Sequence, residues 1–302
     1  MRTLSWTAGP EDDGRRVEEL LRRRLRLSTG TIRRAKRLPG GLCLDGVAVR
    51  TVDCARVGQV LTVAVGDAVG SDRLTLSPGP LDVRYEDEDL LVLSKPGGMP
   101  VHPSQGHHGD TLADRLAWRY AQAGLIAAFH PVNRLDRGTS GLMAVAKHAH
   151  AHERLQAQQR EGRLHRTYLA VCEGVPMPPE GTIDAPIGRM PGSVLAREVR
   201  PDGAVARTRY AVLRTGQGRC LVRAEPETGR THQIRVHLAH LGCPLAGDFL
   251  YGTELAALPD RFALHSAALS LCHPVTGAPL TFMDPLPVEL ARLLEGDREK
   301  DS

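Results

Sequence analysis

The chain of 302 residues lacks the sequence features of secreted, membrane and metal-bound proteins. Its six cysteines are scattered, and no two have Cys-x-x-Cys spacing, which argues against a zinc site and against a disulfide framework. No apolar run approaches the roughly 18 residues that cross a bilayer. Residues 1–13 are polar and acidic and lack the apolar core of a signal peptide. We therefore expect a protein of the reducing cytoplasm with no membrane partner.

Basic residues outnumber acidic ones in one stretch near the beginning of the chain and not over the rest of it. The net charge is +4, yet the stretch from Arg15 to Arg37 holds ten basic residues against Glu18 and Glu19, so it carries +8 and the rest of the chain −4. Concentrated positive charge is typical of nucleic-acid binding, because the phosphates that it neutralises release counterions. The alternative is a solvated helix face, which usually mixes both signs. The candidate RNA contacts here are Arg22, Arg23, Arg33, Arg34, Lys36 and Arg37.

The same region predicts two short helices followed by a small sheet. Apolar residues recur at helical spacing between Val17 and Leu25, and the hydroxyls at 28–29 can cap a second helix. The Asp-Gly turn at 45–46 predicts a hairpin, and another strand is expected over 59–65. Two basic helices before a small sheet resemble the alpha-L RNA-binding module named after ribosomal small-subunit protein four. Such a module grips the RNA backbone, which gives affinity and register and not base identity.

Residues 66–80 are rich in Gly, Ser, Asp and Pro, a composition typical of a linker. We therefore divide the chain into an RNA-binding domain with its linker, residues 1–78, and a second domain, residues 79–302. The second domain is expected to end in an amphipathic helix over 286–294, and residues 296–302 are expected to be frayed.

The second domain is organised around the sequence Asn-Arg-Leu-Asp-Arg-Gly-Thr-Ser-Gly-Leu at 133–142. Asp136 lies between Arg134 and Arg137, a polar turn follows, and the apolar run 142–146 predicts a buried strand. The two guanidinium groups favour the ionised carboxylate and attract phosphate. From these residues alone, an ordinary surface ion-pair cluster before a strand remains open, because such clusters occur without catalysis.

The stretch from Asn133 to Lys147 resembles the catalytic signature of the RluA-type family of RNA pseudouridine synthases, which is His-Arg-Leu-Asp, two variable residues and Thr-Ser-Gly. Three further segments resemble the family in the family's order. They are Lys-Pro-Gly-Gly at 95–98 with the loop to 104, Arg-Thr-Tyr-Leu-Ala-Val at 166–171, and Thr-Gly-Arg-Thr-His-Gln-Ile-Arg-Val-His-Leu at 228–238. The resemblance covers about 83–294. It implies an α+β fold in which helices and loops flank a central, mixed and mostly antiparallel sheet, with the small N-terminal α/β domain appended.

The resemblance assigns roles to individual residues. Asp136 is the expected catalytic carboxylate, Tyr168 the active-site tyrosine, and Arg230 the arginine that pairs with Asp136. Arg134 is expected to fill the gap that a flipped uridine leaves, and Arg137 to bind RNA. Lys95 and His102 belong to a loop that is expected near the substrate. Lys147 and Arg235 are interpreted as phosphate contacts or as solvated charges.

Pseudouridine formation requires no redox chemistry, so no cofactor is expected. The carboxylate either attacks the anomeric carbon or removes the neighbouring ribose proton to give a glycal, and the sequence leaves both routes open. Asn133, Arg166 and Ser94 stand where the family usually has His, Lys and Asn. The effect of Asn133 on target choice and turnover is therefore open.

Three groups of histidines, at 102–108, 148–152 and 232–240, do not have the spacing or the companion ligands of a metal site. We expect no metal, and we interpret the group at 148–152 as solvated. A glycoside hydrolase is disfavoured because it needs two paired carboxylates. The expected function is modification of structured RNA, most simply large-subunit ribosomal RNA, by a monomer. Transfer RNA as substrate and a non-catalytic ribosome-assembly factor of the same fold are the alternatives.

Overall fold

The structure, a computed structural model, describes residues 1–71 and 74–295. The frayed segment expected over 296–302 lies outside these residues. Among the residues described, none of the helices combines the length and the apolar character that crossing a membrane requires.

The first part of the chain forms an antiparallel sheet of four strands covered by two helices. The strands are β1 (Thr3–Thr7), β2 (Leu42–Leu44), β3 (Val47–Ala48) and β4 (Val60–Ala64), in the order β1-β4-β2-β3. The helices are α1 (Val17–Arg23) and α2 (Thr29–Ala35). Leu20, Leu21, Ile32 and Leu61 pack in a core of their own. The charged side chains of both helices therefore lie on the faces turned away from this core.

Local sequence signals explain most of this part. Ser28 caps α2, because its Oγ accepts a hydrogen bond of 3.2 Å from the amide of Thr31. The turn at Asp45 and Gly46 joins β2 to β3, and both residues have positive φ, as a tight hairpin turn requires. The strand β1 was not predicted. Its alternation is weak because only Leu4 is buried.

A sheet of ten strands is the main element of the rest of the described structure. In space the order is β10-β13-β14-β9-β15-β8-β6-β5, with β7 paired to β8 and β16 to β15. The strands are β5 (Asp82–Glu86), β6 (Leu90–Lys95), β7 (His130–Pro131), β8 (Ser140–Ala146), β9 (His165–Glu173), β10 (Glu180–Asp184), β13 (Arg207–Gly216), β14 (Arg219–Pro226), β15 (Leu264–Cys272) and β16 (Pro279–Met283). A separate hairpin consists of β11 (Ile187–Arg189) and β12 (Arg197–Val199). The helices are α3 (Leu112–Gln122), α4 (Ala149–Arg160), α5 (Gln233–His240) and α6 (Val288–Ala291).

The predicted α+β architecture is confirmed. Every pairing in the large sheet is antiparallel except that of β8 with β15, so the sheet is mixed and mostly antiparallel. The parallel pair brings backbones together at Gly141, which has φ +102°, and a Cβ there would lie 2.4 Å from the carbonyl oxygen of Ser266. Only glycine fits this position. The strand β8 is completely buried and begins immediately after the loop that carries Asp136.

Candidate active site

The loop from 133 to 139 is hydrogen-bonded to the sheet at its first residue and closed by a turn at its last. Asn133 is buried, its Oδ1 accepts a hydrogen bond of 2.9 Å from the amide of Ala144 in β8, and Leu135 points into the core. At the other end, the amide of Thr139 donates to the carbonyl of Asp136 over 3.1 Å and closes a turn. These contacts fix the backbone on both sides of Asp136. The side chain of Asp136 is left partly exposed, at 28%.

Lys95 supports the same loop from the interior of the protein and is not a surface RNA contact. The side chain is completely buried, and its Nζ donates to the carbonyls of Pro96, Met99 and Arg137 over 2.7, 2.9 and 3.1 Å. Burial lowers the pKa of Lys95 to about 7, although the charge of Asp136 opposes this shift. The prediction that Lys95 binds RNA was wrong, because no ligand reaches an ammonium group enclosed by three carbonyl oxygens.

Arg235, on α5, is the arginine that pairs with Asp136. Its Nη1 donates to Oδ2 of Asp136 over 3.2 Å. Its Nε and Nη2 donate to the two oxygens of buried Asp248, each over 2.8 Å. This bidentate pair matches the planar guanidinium fork and leaves one nitrogen aimed at Asp136. Arg235 is only 3% exposed, so the interpretation of this residue as a surface charge was wrong.

Aromatic rings hold the guanidinium of Arg235 in place. The centroid of Phe262 lies 4.1 Å from its Cζ, and that of Tyr251 lies 5.0 Å away. Burial tends to lower the pKa of Arg235, but the hydrogen bonds and charges of Asp248 and Asp136 outweigh it, and the pKa is raised overall. Arg235 therefore stays charged. It faces Asp136 as a fixed cation and not as a mobile one.

Arg230 does not pair with Asp136, so this part of the prediction was wrong. Its side chain is exposed at the rim of the pocket, and its Nε donates to the carbonyl of Val205 over 2.8 Å. Arg230 precedes α5 by three residues, whereas Arg235 lies within the helix and points into the protein. The available signal for Arg235 was its position inside the apolar run Ile-Arg-Val-His-Leu, where a solvated charge is not expected.

His232 completes the polar surroundings of Asp136. Its Nε2 lies 3.9 Å from Oδ2 of Asp136, and its Nδ1 lies 2.8 Å from the hydroxyl of Tyr251. This histidine precedes the first residue of α5, with a left-handed backbone at φ 57° and no side-chain cap. Burial lowers the pKa of His232, with Asp136 opposing. The left-handed residue turns the chain so that the ring faces Asp136.

Tyr168 lies on β9 and lines the same pocket as Asp136. It is 5% exposed, and burial raises the pKa of its hydroxyl. Arg166, two residues earlier and on the same side of the strand, also lines the pocket. Its Nη2 donates to the carbonyl of Thr228 over 3.3 Å. The pocket has a volume of about 260 Å³.

The remaining predicted RNA contacts lie on the surface. Arg134 is exposed beside the pocket, and its charge contributes to lowering the pKa of His102, for which burial is the larger cause. Arg137 is exposed and forms an ion pair with Asp260. In the N-terminal part, Arg22 and Arg23 pair with Glu18 and Glu19 one turn earlier on α1. Four residues of α2 and its C-terminal end are exposed: Arg33, Arg34, Lys36 and Arg37.

The histidines at 148–152 are not solvated as a group, which corrects the sequence interpretation. His148 and His150 are 1% and 2% exposed. The Nε2 of His148 lies 2.9 Å from Oδ1 of Asp89, which also accepts a hydrogen bond from Arg2. Among the described residues, one group of side chains has the spacing of a metal site, namely Asp87, Asp89 and His273. Its carboxylates already accept from Arg2, Tyr85 and His148.

Comparisons with known proteins agree with this geometry. A family model described as RNA pseudouridylate synthase matches residues 89–240. YjbO of Bacillus subtilis strain 168, named an uncharacterized RNA pseudouridine synthase, is 42% identical over 85% of this chain and 91% of its own length. The ribosomal large subunit pseudouridine synthase D of Xanthomonas campestris pv. campestris is 39% identical over 86% of this chain and 82% of its own. The solved structure of human RNA pseudouridylate synthase domain containing 1 has a TM-score of 0.56 and 27% identity, covering 69% of this chain and 86% of that protein.

Fold, pocket and comparisons define the class of the protein as an RNA-modifying isomerase. The chain belongs to the RNA pseudouridine synthase family, and its relatives include enzymes named for the large ribosomal subunit.

Proposed function

We propose that the protein converts specific uridines of large-subunit ribosomal RNA to pseudouridine, with Asp136 as its catalytic residue. The observation that carries the proposal is the position of the Asp136 carboxylate, 3.2 Å from the fixed guanidinium of Arg235 and in one pocket with Tyr168. A carboxylate held this way is oriented and partly accessible, which are the properties that a group reacting with a ribose needs. Arg235 takes the orienting role that the sequence assigned to Arg230.

The reaction exchanges two bonds within one nucleotide. The bond from ribose C1′ to uracil N1 breaks, a bond from C1′ to C5 forms, C5 loses its proton, and N1 gains one. Asp136 acts at the ribose, either as nucleophile at C1′ or as base toward the 2′ proton. Tyr168, which lines the pocket with Asp136, would pack on the detached uracil and assist proton removal from C5. No part of this exchange consumes a redox cofactor.

A uridine within a duplex must leave the stack before it reaches Asp136. Flipping costs a few kcal/mol of unstacking, which contacts elsewhere on the RNA must offset. Arg134, exposed beside the pocket, would occupy the vacated place, and Arg230 would contact RNA at the rim. Arg137 and His102, exposed outside the pocket, would be further RNA contacts. The exposed cations of α1 and α2 would hold the backbone at a distance from the target base.

Large-subunit ribosomal RNA is the substrate that similarity favours. Relatives of 38–39% identity are named ribosomal large subunit pseudouridine synthase D. The N-terminal part, which we interpret as an alpha-L type RNA-binding domain ending near residue 78, suits a large structured RNA. We place the protein in the cytoplasm, because its proposed substrate is ribosomal and its six cysteines are free. We further propose that it acts as a monomer.

The direct test is pseudouridine mapping in cells that lack the protein. Carbodiimide treatment followed by primer extension should show stops missing from large-subunit ribosomal RNA in the deletion strain. The wild-type gene should restore them, and genes carrying Asp136→Ala or Asp136→Asn should not. Asp202→Asn is the matched control, because Asp202 is an exposed aspartate that pairs with Arg200 and does not line the pocket.

Each alternative predicts a different map. If stops were missing from transfer RNA alone, transfer RNA and not ribosomal RNA would be the substrate. Full restoration by Asp136→Ala would overturn the catalytic assignment. Unchanged maps together with a ribosome-assembly defect that Asp136→Ala corrects would favour a non-catalytic assembly factor.

A further inference from the structure

A cleft of about 680 Å³ lies between the N-terminal sheet and the large sheet. Trp6 and the segment Arg24–Arg26 line it from one side, and His150, Arg154 and the loop 274–277 line it from the other. This cleft is separate from the pocket of Asp136.

Helix α4 connects the two cavities. Gln156 and Gln159 of α4 line the active-site pocket, whereas His150 and Arg154 line the cleft. At 3.6 residues per turn, Gln156 points about 200° away from Arg154 around the helix axis. The cleft and the pocket therefore lie on opposite faces of one helix, on the order of 10–20 Å apart given the helix diameter. One RNA molecule can reach both.

Two arginines give the cleft uncompensated positive charge. Arg24 and Arg2, at its edges, are neutralised by Asp12 and Asp89, each at 2.8 Å. Arg26 and Arg154 form no ion pair with a carboxylate in the described parts of the chain, 1–71 and 74–295. Burial lowers the pKa of the Arg154 guanidinium and the charge of Arg26 lowers it further, whereas Glu161 and Glu153 oppose the shift, so the two cations face a shared space that acidic groups neutralise only in part.

His150 adds an unsatisfied polar group to the same cleft. It is 2% exposed, and its Nδ1 is buried with no hydrogen-bond partner among the described residues. Buried polar atoms are nearly always satisfied in folded proteins, so this one is an exception. Because the nitrogen is inaccessible, His150 forms part of the wall of the cleft and does not itself contact a ligand through Nδ1. Burial is the main cause that lowers the pKa of His150 to about 4, and the charges of His148 and Arg154 lower it further.

The chemistry of the cleft suits a phosphodiester. Guanidinium groups recognise phosphate oxygens through paired N–H donors. Arg26 has a left-handed backbone, φ 53°, which is uncommon for a residue with a side chain, and it lies in the segment between α1 and α2. Because this segment lines the cleft and joins the two basic helices, a long polyanion is favoured over a small one.

We infer that this cleft binds the phosphate backbone of the substrate RNA at a segment separate from the target uridine, through Arg26 and Arg154 and next to His150. The inference rests on the proposed function, because it takes the bound RNA to be the substrate. RNA seated here contacts the N-terminal part and α4 at once. Its binding energy therefore holds the two parts of the protein together while the target base is flipped.

The test measures RNA affinity as a function of salt. Wild type, Arg26→Gln, Arg154→Gln and the double variant are titrated with transcribed large-subunit ribosomal RNA between about 50 and 200 mM salt. Each single variant should reduce the slope of log K against log salt by roughly 0.7–0.9, the value for one lost phosphate contact. The double variant should bind about tenfold more weakly at the middle of this range, on the same counterion argument.

Matched controls separate this site from general loss of charge. Arg50→Gln in the N-terminal part and Arg214→Gln on β13 remove exposed arginines that do not line the cleft, and both should keep the wild-type slope. Arg26→Lys and Arg154→Lys, which keep the positive charge, should retain most of the wild-type slope. Thermal melting checks that each variant is folded. If Arg154→Gln does not fold, Arg26→Gln, Arg26→Lys and Arg154→Lys still test whether the cleft binds RNA.

The outcomes distinguish this inference from the proposed function. A double variant with wild-type affinity and slope overturns the cleft, even if pseudouridine forms normally. Inorganic phosphate that stabilises wild type but not the double variant, with RNA affinity equal in both, also overturns it and indicates a small-anion site. A cleft-dependent slope without pseudouridine formation in any RNA supports the cleft as an RNA site and defeats the proposed function instead.

Discussion

Arg235 and Asp248 form a bidentate pair in which both hydrogen bonds measure 2.8 Å, and this pair aims the remaining nitrogen of Arg235 at Asp136. Arg235→Gln would leave Asp248 buried without its cation. Breaking a buried ion pair from one side typically costs 3–5 kcal/mol, so we expect the free energy of unfolding in urea to fall by about 3–5 kcal/mol. Because Asp136 also loses its orienting partner, kcat should fall about 10²-fold.

The double variant Arg235→Gln/Asp248→Asn separates stability from catalysis. With both charges removed, most of the lost stability should return, whereas kcat, measured as tritium release from RNA labelled at uracil C5, should not. Arg230→Gln is the control at the rim of the pocket and should leave kcat close to wild type while weakening RNA binding. Recovery of kcat in the double variant would contradict the orienting role of Arg235.

The sequence predicts local elements of this protein better than it predicts partners distant in the chain. The strand after the Asp136 loop, the cap of α2 and the hairpin at 45–46 follow from apolar runs, Ser28 and an Asp-Gly pair, which act over a few residues. The choice between Arg230 and Arg235 depends instead on how α5 is aimed by the left-handed His232. Nothing in the spacing of residues encodes that angle.

Buried polar residues are the other place where the sequence interpretation failed. Lys95 and His148 are residue types typical of the surface. Lys95 donates to nearby Pro96 and Met99, but its third acceptor, Arg137, lies 42 positions away, and Asp89, the partner of His148, lies 59 positions away. A charged or polar side chain is buried only where tertiary structure supplies its hydrogen bonds. The sequence alone does not show those hydrogen bonds, because residues distant in the chain supply them.

Asp89 should make stability depend on acid pH. Burial tends to raise the pKa of Asp89, but His148 and Arg2 outweigh it and hold the pKa well below 3.8. A carboxylate with a depressed pKa in the folded state stabilises the protein above its unfolded pKa and loses this contribution as pH falls below it. At pH 7, Asp89→Asn should lower the free energy of unfolding by about 1.5–3 kcal/mol, the usual cost of losing hydrogen bonds to a charged group.

The difference between wild type and Asp89→Asn should then shrink as the pH falls from about 5 to 3, because the wild-type carboxylate becomes protonated in the unfolded chain first. Glu88→Gln is the matched control, since Glu88 also contacts Arg2 but is 74% exposed. Urea titrations at each pH measure all three proteins. A difference that stays constant over this range would show that Asp89 is not the titrating group.

Lys95 should add a second pH dependence of stability, on the alkaline side of neutral pH. Its pKa is about 7 in the folded protein and 10.5 in an ordinary environment. Between these values the unfolded chain binds more protons, so the free energy of unfolding should rise with pH by up to about 1.4 kcal/mol per unit. Lys95→Met lacks this titration. The stability of wild type relative to Lys95→Met should therefore increase from pH 7 to 9, whereas relative to Lys36→Met, which removes an exposed lysine, it should not change.

Asn133 tests whether the loop of Asp136 must be fastened to β8. Its Oδ1 accepts from the amide of Ala144 over 2.9 Å, and its Nδ2 lies 3.5 Å from the carbonyl of Leu142. Asn133→Ala leaves the amide of Ala144 buried without an acceptor, which should cost about 1–3 kcal/mol of stability. Because the same change loosens the backbone before Asp136, kcat should fall more than the affinity for RNA. Asn133→His, which introduces the residue usual in the family, offers a ring nitrogen as acceptor and should lie closer to wild type in both measurements. If Asn133→Ala matched wild type in urea unfolding and in tritium release, the hydrogen bond to β8 would have no part in positioning Asp136.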